Sequence, residues 1–188
     1  MLPKVKITKQ EIVAATLSLL RERGEDAMNA RTIAAALGCS TQPIFSNFDS
    51  LDDLQHSVFS AAYNHYYSFL VREMESGQYP PYKAYGMAYI RFAEQEKQLF
   101  RVLFMCDRTG QELLPSSDFS QSVDMIMKAN GIDEPTARLM HMEMWAFVHG
   151  IGTMLATSYL SLDHELISRM LTDVYWGLRT RFVKEENA

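Results

Sequence analysis

Apolar residues recur along this chain at helical spacing, and nowhere do they alternate with polar ones for long enough to suggest a strand. Near the N-terminus Ile12, Ala15, Thr16, Leu19 and Leu20 share one helical face. Thr8 with Glu11 three residues on is a capping-box signature, and Gly24 marks the stop after Arg23. A short second helix is expected over 30–37, capped by Asn29 and ended by Gly38. Ser40 or Thr41 caps a third, with Pro43 in its first turn and Ile44, Phe45 and Phe48 as its apolar anchors. Ser50 caps a fourth helix, from Leu51 through about Glu75. After a break at 77–81, helices are expected over 82–96, 98–105, 118–130, 134 to about 160, and from Asp163 to about Lys184, with a polar loop over 107–117. The pattern predicts an all-α fold of about nine helices.

Residues 29–54 stand out within that series. Two short helices are joined by a tight turn, and the second is polar and faces solvent. That is the build of a helix-turn-helix, whose second helix docks in the DNA major groove. A DNA-binding domain over 1–54 and a larger helical body over 55–188 follow.

The net charge of −5 looks wrong for a DNA-binding protein, but its distribution matters more. Residues 1–48 hold six bases and four acids, whereas the remainder holds twelve bases and nineteen acids. The basic end is the end with the helix-turn-helix. No apolar run reaches the roughly 18 residues of a membrane span, and the stretch MLPKVKITKQE lacks the apolar core of a signal peptide. A cytoplasmic protein with no membrane partner is expected. Cys39 and Cys106 lie in no zinc or redox spacing, and His141 and His149 lack further ligands for a metal site. No metal or cofactor is expected. Nucleophile elbow, P-loop and dinucleotide fingerprint are all missing, so no enzymatic activity is expected either.

The N-terminal 54 residues resemble the DNA-binding domain of the TetR family of bacterial transcriptional regulators. The resemblance is carried by the capped first helix ending at Gly24, by R-x-I-A-x-x-x-G at Arg31, Ile33, Ala34 and Gly38, by S-T-Q-P-I-F-x-x-F from Ser40 to Phe48, and by L-x-x-L at Leu51 and Leu54. Further on, W-A-F-V-H-G from Trp145 to Gly150 and the stretch AYIRFAEQEKQLFRVLF resemble the subtype with a Trp-His-Gly signature in its C-terminal domain. The resemblance implies a homodimer on a palindromic double-stranded operator. It also implies a pocket in each helical body, where a small molecule shifts the two heads apart; most such proteins are repressors released by ligand. Two positions depart from the pattern. The family usually has Tyr, with a phosphate-touching hydroxyl, where this chain has Phe45, and often Lys where it has Leu51. Both losses weaken nonspecific affinity, and Lys4, Lys6 and Lys9 are the expected compensation as an N-terminal arm.

Within the DNA head, Gln42 is the expected base reader, because glutamine pairs bidentately with adenine N6 and N7. Thr41 and Pro43 offer apolar contact to a thymine methyl, and Ser46 and Asn47 lie later on the same helix. Arg31 is expected to reach guanine or phosphate, and Asn29 is a helix cap with phosphate within reach. Phe45 belongs with the DNA-facing residues through the resemblance, while by their own pattern Phe45 and Phe48 read as core rather than as stacking platforms, since nothing else suggests single-stranded binding.

In the body, Tyr63, Tyr66, Tyr67, Phe100, Phe104, Met105, Met142, Trp145 and His149 are candidates for the wall of a pocket for a small, mostly apolar ligand. Plain core packing is the competing reading for each. The last two helices carry apolar residues at the spacing of a packed pair, and small residues permit close approach. Ile151, Gly152, Leu155, Met170, Val174 and Leu178 are therefore candidates for a four-helix dimer interface. A helical carrier protein without operator binding, or a regulator controlled by a protein partner, remains the alternative.

Overall fold

A computed structural model describes residues 7–106 and 117–185. The protein is all-α, with nine α-helices among the described residues: α1 Lys9–Arg23, α2 Ala30–Ala36, α3 Gln42–Asn47, α4 Leu51–Ser76, α5 Pro81–Gln95, α6 Lys97–Phe104, α7 Ser117–Asn130, α8 Glu134–Ala156 and α9 His164–Glu185. None of these helices is long and apolar enough to cross a membrane.

Local chemistry starts most of them. The Glu11 amide donates to the Thr8 hydroxyl at 3.2 Å, and the Glu11 carboxylate accepts from the Thr8 amide at 2.7 Å, which closes the capping box of α1. Thr32 N–H donates to Asn29 Oδ1 at 3.0 Å, Asp53 N–H to Ser50 Oγ at 3.1 Å and Thr136 N–H to Asp133 Oδ1 at 2.9 Å. Helix α3 is an exception. Thr41 holds its N-cap position in helical conformation and makes no side-chain cap bond, and Pro43 lies in the first turn. Gly38 follows α2 with φ +64°, a left-handed turn that glycine adopts without strain.

Two features differ from the pattern. Helix α8 closes at Ala156 rather than near Leu160. Ser158 is left-handed at φ +58°, its N–H donates to Leu155 O at 3.0 Å and Tyr159 N–H donates to Met154 O at 2.9 Å, a Schellman closure made without glycine. Phe45 is the other correction. It was expected as an anchor of α3, yet it is 55% exposed while Ile44 and Phe48 are buried. On a helix of six residues, Ile44 and Phe48 are four apart and share a face, and Phe45 is turned away from it.

The chain forms two compact units. The first runs to Tyr67 and adds Glu96–Cys106, so the N-terminal part of α4 and the whole of α6 group with α1–α3. It thus extends beyond residue 54. Its buried side chains include Ile12, Leu20, Ile33, Ile44, Phe48, Leu54 and Val58. The second comprises Ser68–Gln95 and helices α7–α9. Here α5 packs chiefly on α8, and a Cβ at Gly86 would stand 3.0 Å from Leu171 Cδ2 and 3.5 Å from Val148 Cγ2. Val123, Ile126, Ile132, Ala137, Met140 and Phe182 form an apolar cluster, with Leu178 packed against it.

Candidate nucleic-acid interface and body sites

Burial of Ile33, Ala34, Ile44 and Phe48 sets α2 and α3 on the first unit. With that face inside, α3 presents Gln42, Phe45 and Ser46 to solvent, and Thr41 and Pro43 are half-buried beside them. Arg31 is exposed in the first turn of α2. Three of the expected contact residues make side-chain hydrogen bonds within the chain. Asn47 is half-buried, and its Nδ2 donates to Pro43 O at 2.7 Å and Ile7 O at 3.3 Å, so its amide ties α3 to the segment before α1. Asn29 Oδ1 accepts from the Thr32 amide and hydroxyl, both at 3.0 Å, and its Nδ2 donates to Asp26 O at 3.2 Å. The cap function of Asn29 thus uses both ends of its amide. Ser46 Oγ donates to Gln42 O at 2.8 Å. Lys6 and Lys4 lie outside the described residues. Lys9, the described member of that basic arm, stands 4.5 Å over the Phe48 ring and 3.8 Å from an Asp53 carboxylate oxygen.

A charged node joins three helices of this unit. Glu96, 9% exposed, precedes α6. Its Oε2 accepts from Arg21 Nε of α1 at 2.9 Å and its Oε1 from the second guanidinium nitrogen at 2.5 Å. The same Oε1 lies 2.9 Å from His65 Nε2 of α4. Burial works against the Glu96 carboxylate, but the hydrogen bonds and charge of Arg21 and His65 outweigh it and hold its pKa below the usual carboxylate range. The Glu96 carboxylate in turn raises the Arg21 pKa through its hydrogen bonds and charge. Positions 21, 65 and 96 share no helical periodicity, so no pattern along the chain marks them as partners.

The nine candidates for a ligand wall divide between the units. Tyr63, Tyr66, Phe104 and Phe100 form a chain of ring contacts in the first, with centroids 5.6, 5.2 and 5.3 Å apart in that order. Tyr66 and Phe100 are buried, whereas Tyr67 and Met105 are exposed. Met142, Trp145 and His149 belong to the second unit, on α8. Trp145 is 44% exposed and stacks on His149, the ring centroids 5.0 Å apart. The edge of that imidazole is polar: Tyr89 Oη lies 2.8 Å from His149 Nδ1, and burial lowers the imidazole pKa.

His141 repeats the motif more deeply. It is 9% exposed, its Nδ1 lies 2.9 Å from Tyr82 Oη, and the Phe119 ring stands edge-on at 4.6 Å. Burial pushes its pKa down to about 4 and pushes the Tyr82 phenol up, so the neutral pair is the folded form. In the same unit Glu73 is buried and pairs with Arg91 Nε at 3.2 Å, and its other carboxylate oxygen has no hydrogen-bond partner among the described residues.

Of the residues expected at a dimer interface, Ile151, Gly152 and Leu155 are buried by packing within the chain, while Met170, Val174 and Leu178 are half-buried. The large apolar side chains left open on α8 are Leu139, Met142 and Trp145, joined on α9 by Trp176. No family model matches this sequence, and no curated protein matches it either.

Proposed function

We propose that this protein is a cytoplasmic, dimeric, sequence-specific DNA-binding transcriptional regulator of the TetR type, a repressor released from a palindromic operator by a small, mostly apolar ligand. The observation that carries this reading is the outward face of α3. Gln42, Phe45 and Ser46 stand in solvent on a short helix held from behind by Ile44 and Phe48. A polar side chain beside an apolar one on an exposed helix fits the edge of a base pair and its methyl group. The ring chain of Tyr63, Tyr66, Phe100 and Phe104 supports the ligand half, since apolar effectors bind among such walls. Leu139, Met142 and Trp145, each more than 40% exposed, support self-association through α8.

Selection of duplex DNA from a random pool, followed by binding titrations across salt concentration, tests the reading. An enriched palindrome with two half-sites is the expected outcome. Gln42→Ala then relaxes preference at one position of each half-site by about 1–3 kcal/mol; equal loss on every sequence would remove Gln42 as a base reader. Absence of any enrichment favours a helical carrier protein. An apolar compound that saturates the protein and leaves operator affinity unchanged is not its effector, since only differential affinity for two conformations shifts their populations.

A further inference from the structure

A groove of about 460 Å³ lies between α1 and α2, lined by Leu19, Arg23, Arg31, Thr32, Ala35 and Ala36. The lining holds two cations and no acid. Arg21, two residues before Arg23, is spent on Glu96, but Arg23 and Arg31 are exposed and form no hydrogen bond or ion pair among the described residues. The acids nearest in sequence, Glu22, Glu25 and Asp26, are exposed and outside the lining. Ala35 and Ala36 add no bulk between the two guanidinium groups and the helix backbones. Two planar, unpaired guanidinium groups beside a small apolar floor suit an anionic oxygen pair on a slender chain, which is the chemistry of a phosphodiester.

We propose that this groove binds a backbone phosphate of duplex DNA between Arg23 and Arg31, outside the surface of α3 that reads bases. The inference rests on the DNA-binding reading above and adds Arg23, on a different helix from the helix-turn-helix pair, to the contact surface. Arg31 stands in the first turn of α2 and α2 leads directly into α3, so groove and base-reading face share one support. A phosphate contact positions the protein and carries no sequence information.

The test uses the full-length protein, with the selected operator and a scrambled duplex of equal length, each titrated across a salt series. Arg23→Ala is expected to weaken both duplexes by the same factor, on the order of 10-fold, and to flatten the slope of log affinity against log salt by about one. Arg23→Glu is expected to weaken both further, and Arg23→Lys to keep the slope while losing part of the affinity. Because Arg23 is exposed, thermal unfolding of the variants should match the parent, which separates contact loss from misfolding. Unchanged affinity and slope in Arg23→Ala and Arg23→Glu, while the parent binds, would overturn the groove assignment alone. Loss confined to the operator would also overturn it, since that marks a base contact. A parent that binds neither duplex overturns the DNA-binding reading and this inference with it.

Discussion

Ile44 and Phe45 are neighbours in sequence and opposites in exposure, at 0% and 55%. Truncating each separates folding from contact. Ile44→Ala is expected to destabilise the protein by roughly 2–5 kcal/mol, because it empties a fully buried site. Phe45→Ala should change stability by less than about 0.5 kcal/mol while weakening DNA binding. Denaturant unfolding beside a duplex titration checks both, and a large stability loss in Phe45→Ala would return that ring to the core. Ser158 offers a test of the opposite sign. A non-glycine residue at φ +58° carries a backbone penalty that glycine avoids. Ser158→Gly is expected to raise stability by up to about 1 kcal/mol, seen as a higher midpoint in denaturant; a lower midpoint would show that glycine's extra freedom in the unfolded chain outweighs the relief.

Among the elements, α6 is the one whose place is least apparent along the chain. It is separated from α1 by some 70 residues, yet Glu96 at its start takes both a guanidinium of α1 and an imidazole of α4. Glu96→Gln keeps the side chain's shape and removes its charge. Removing one member of a fully buried ion pair costs about 3–5 kcal/mol, but Arg21 is nearly half exposed, so a loss of roughly 1–2 kcal/mol is expected here. The pH dependence has a definite sign. The folded pKa of Glu96 lies below its ordinary value of 4.5, so its contribution is present above that value and is lost as pH falls through the folded pKa. Glu96→Gln should therefore flatten the acid limb of the stability curve below about pH 4.5. An unaltered limb would mean that the ion pair adds no net stability.

For the whole molecule, acid sensitivity begins at higher pH, through His141. Its folded pKa of about 4 lies below the unfolded 6.5, so the folded form binds fewer protons. Its contribution to stability is expected to be complete above pH 6.5 and to be lost as pH falls from there to about 4, a loss on the order of 3 kcal/mol. His141→Gln, which keeps a partner for Tyr82, should remove much of that decline. Equilibrium unfolding at a series of pH values checks it, and an unchanged decline in the variant would place its origin elsewhere.

The helices themselves were legible in the sequence. Thr8, Asn29, Ser50 and Asp133 start helices by bonds to amides three residues on, and glycines at 24, 38 and 131 end them at positive φ, all within one turn of chain. The outward placement of Gln42 and Ser46 followed from the same local periodicity. Caps and helical faces depend on residues at most four apart, so the linear order determined them. Three features were decided only by tertiary structure. Asn47, a possible base reader by position, spends its amide partly on Ile7, forty residues away. Glu96 is buried against Arg21 and His65, and Ile151, Gly152 and Leu155 are buried within the chain rather than left open. Helical spacing states that a face is apolar or that a side chain is charged. Which partner meets it depends on how distant segments close on one another, and that information exists only once the helices have packed.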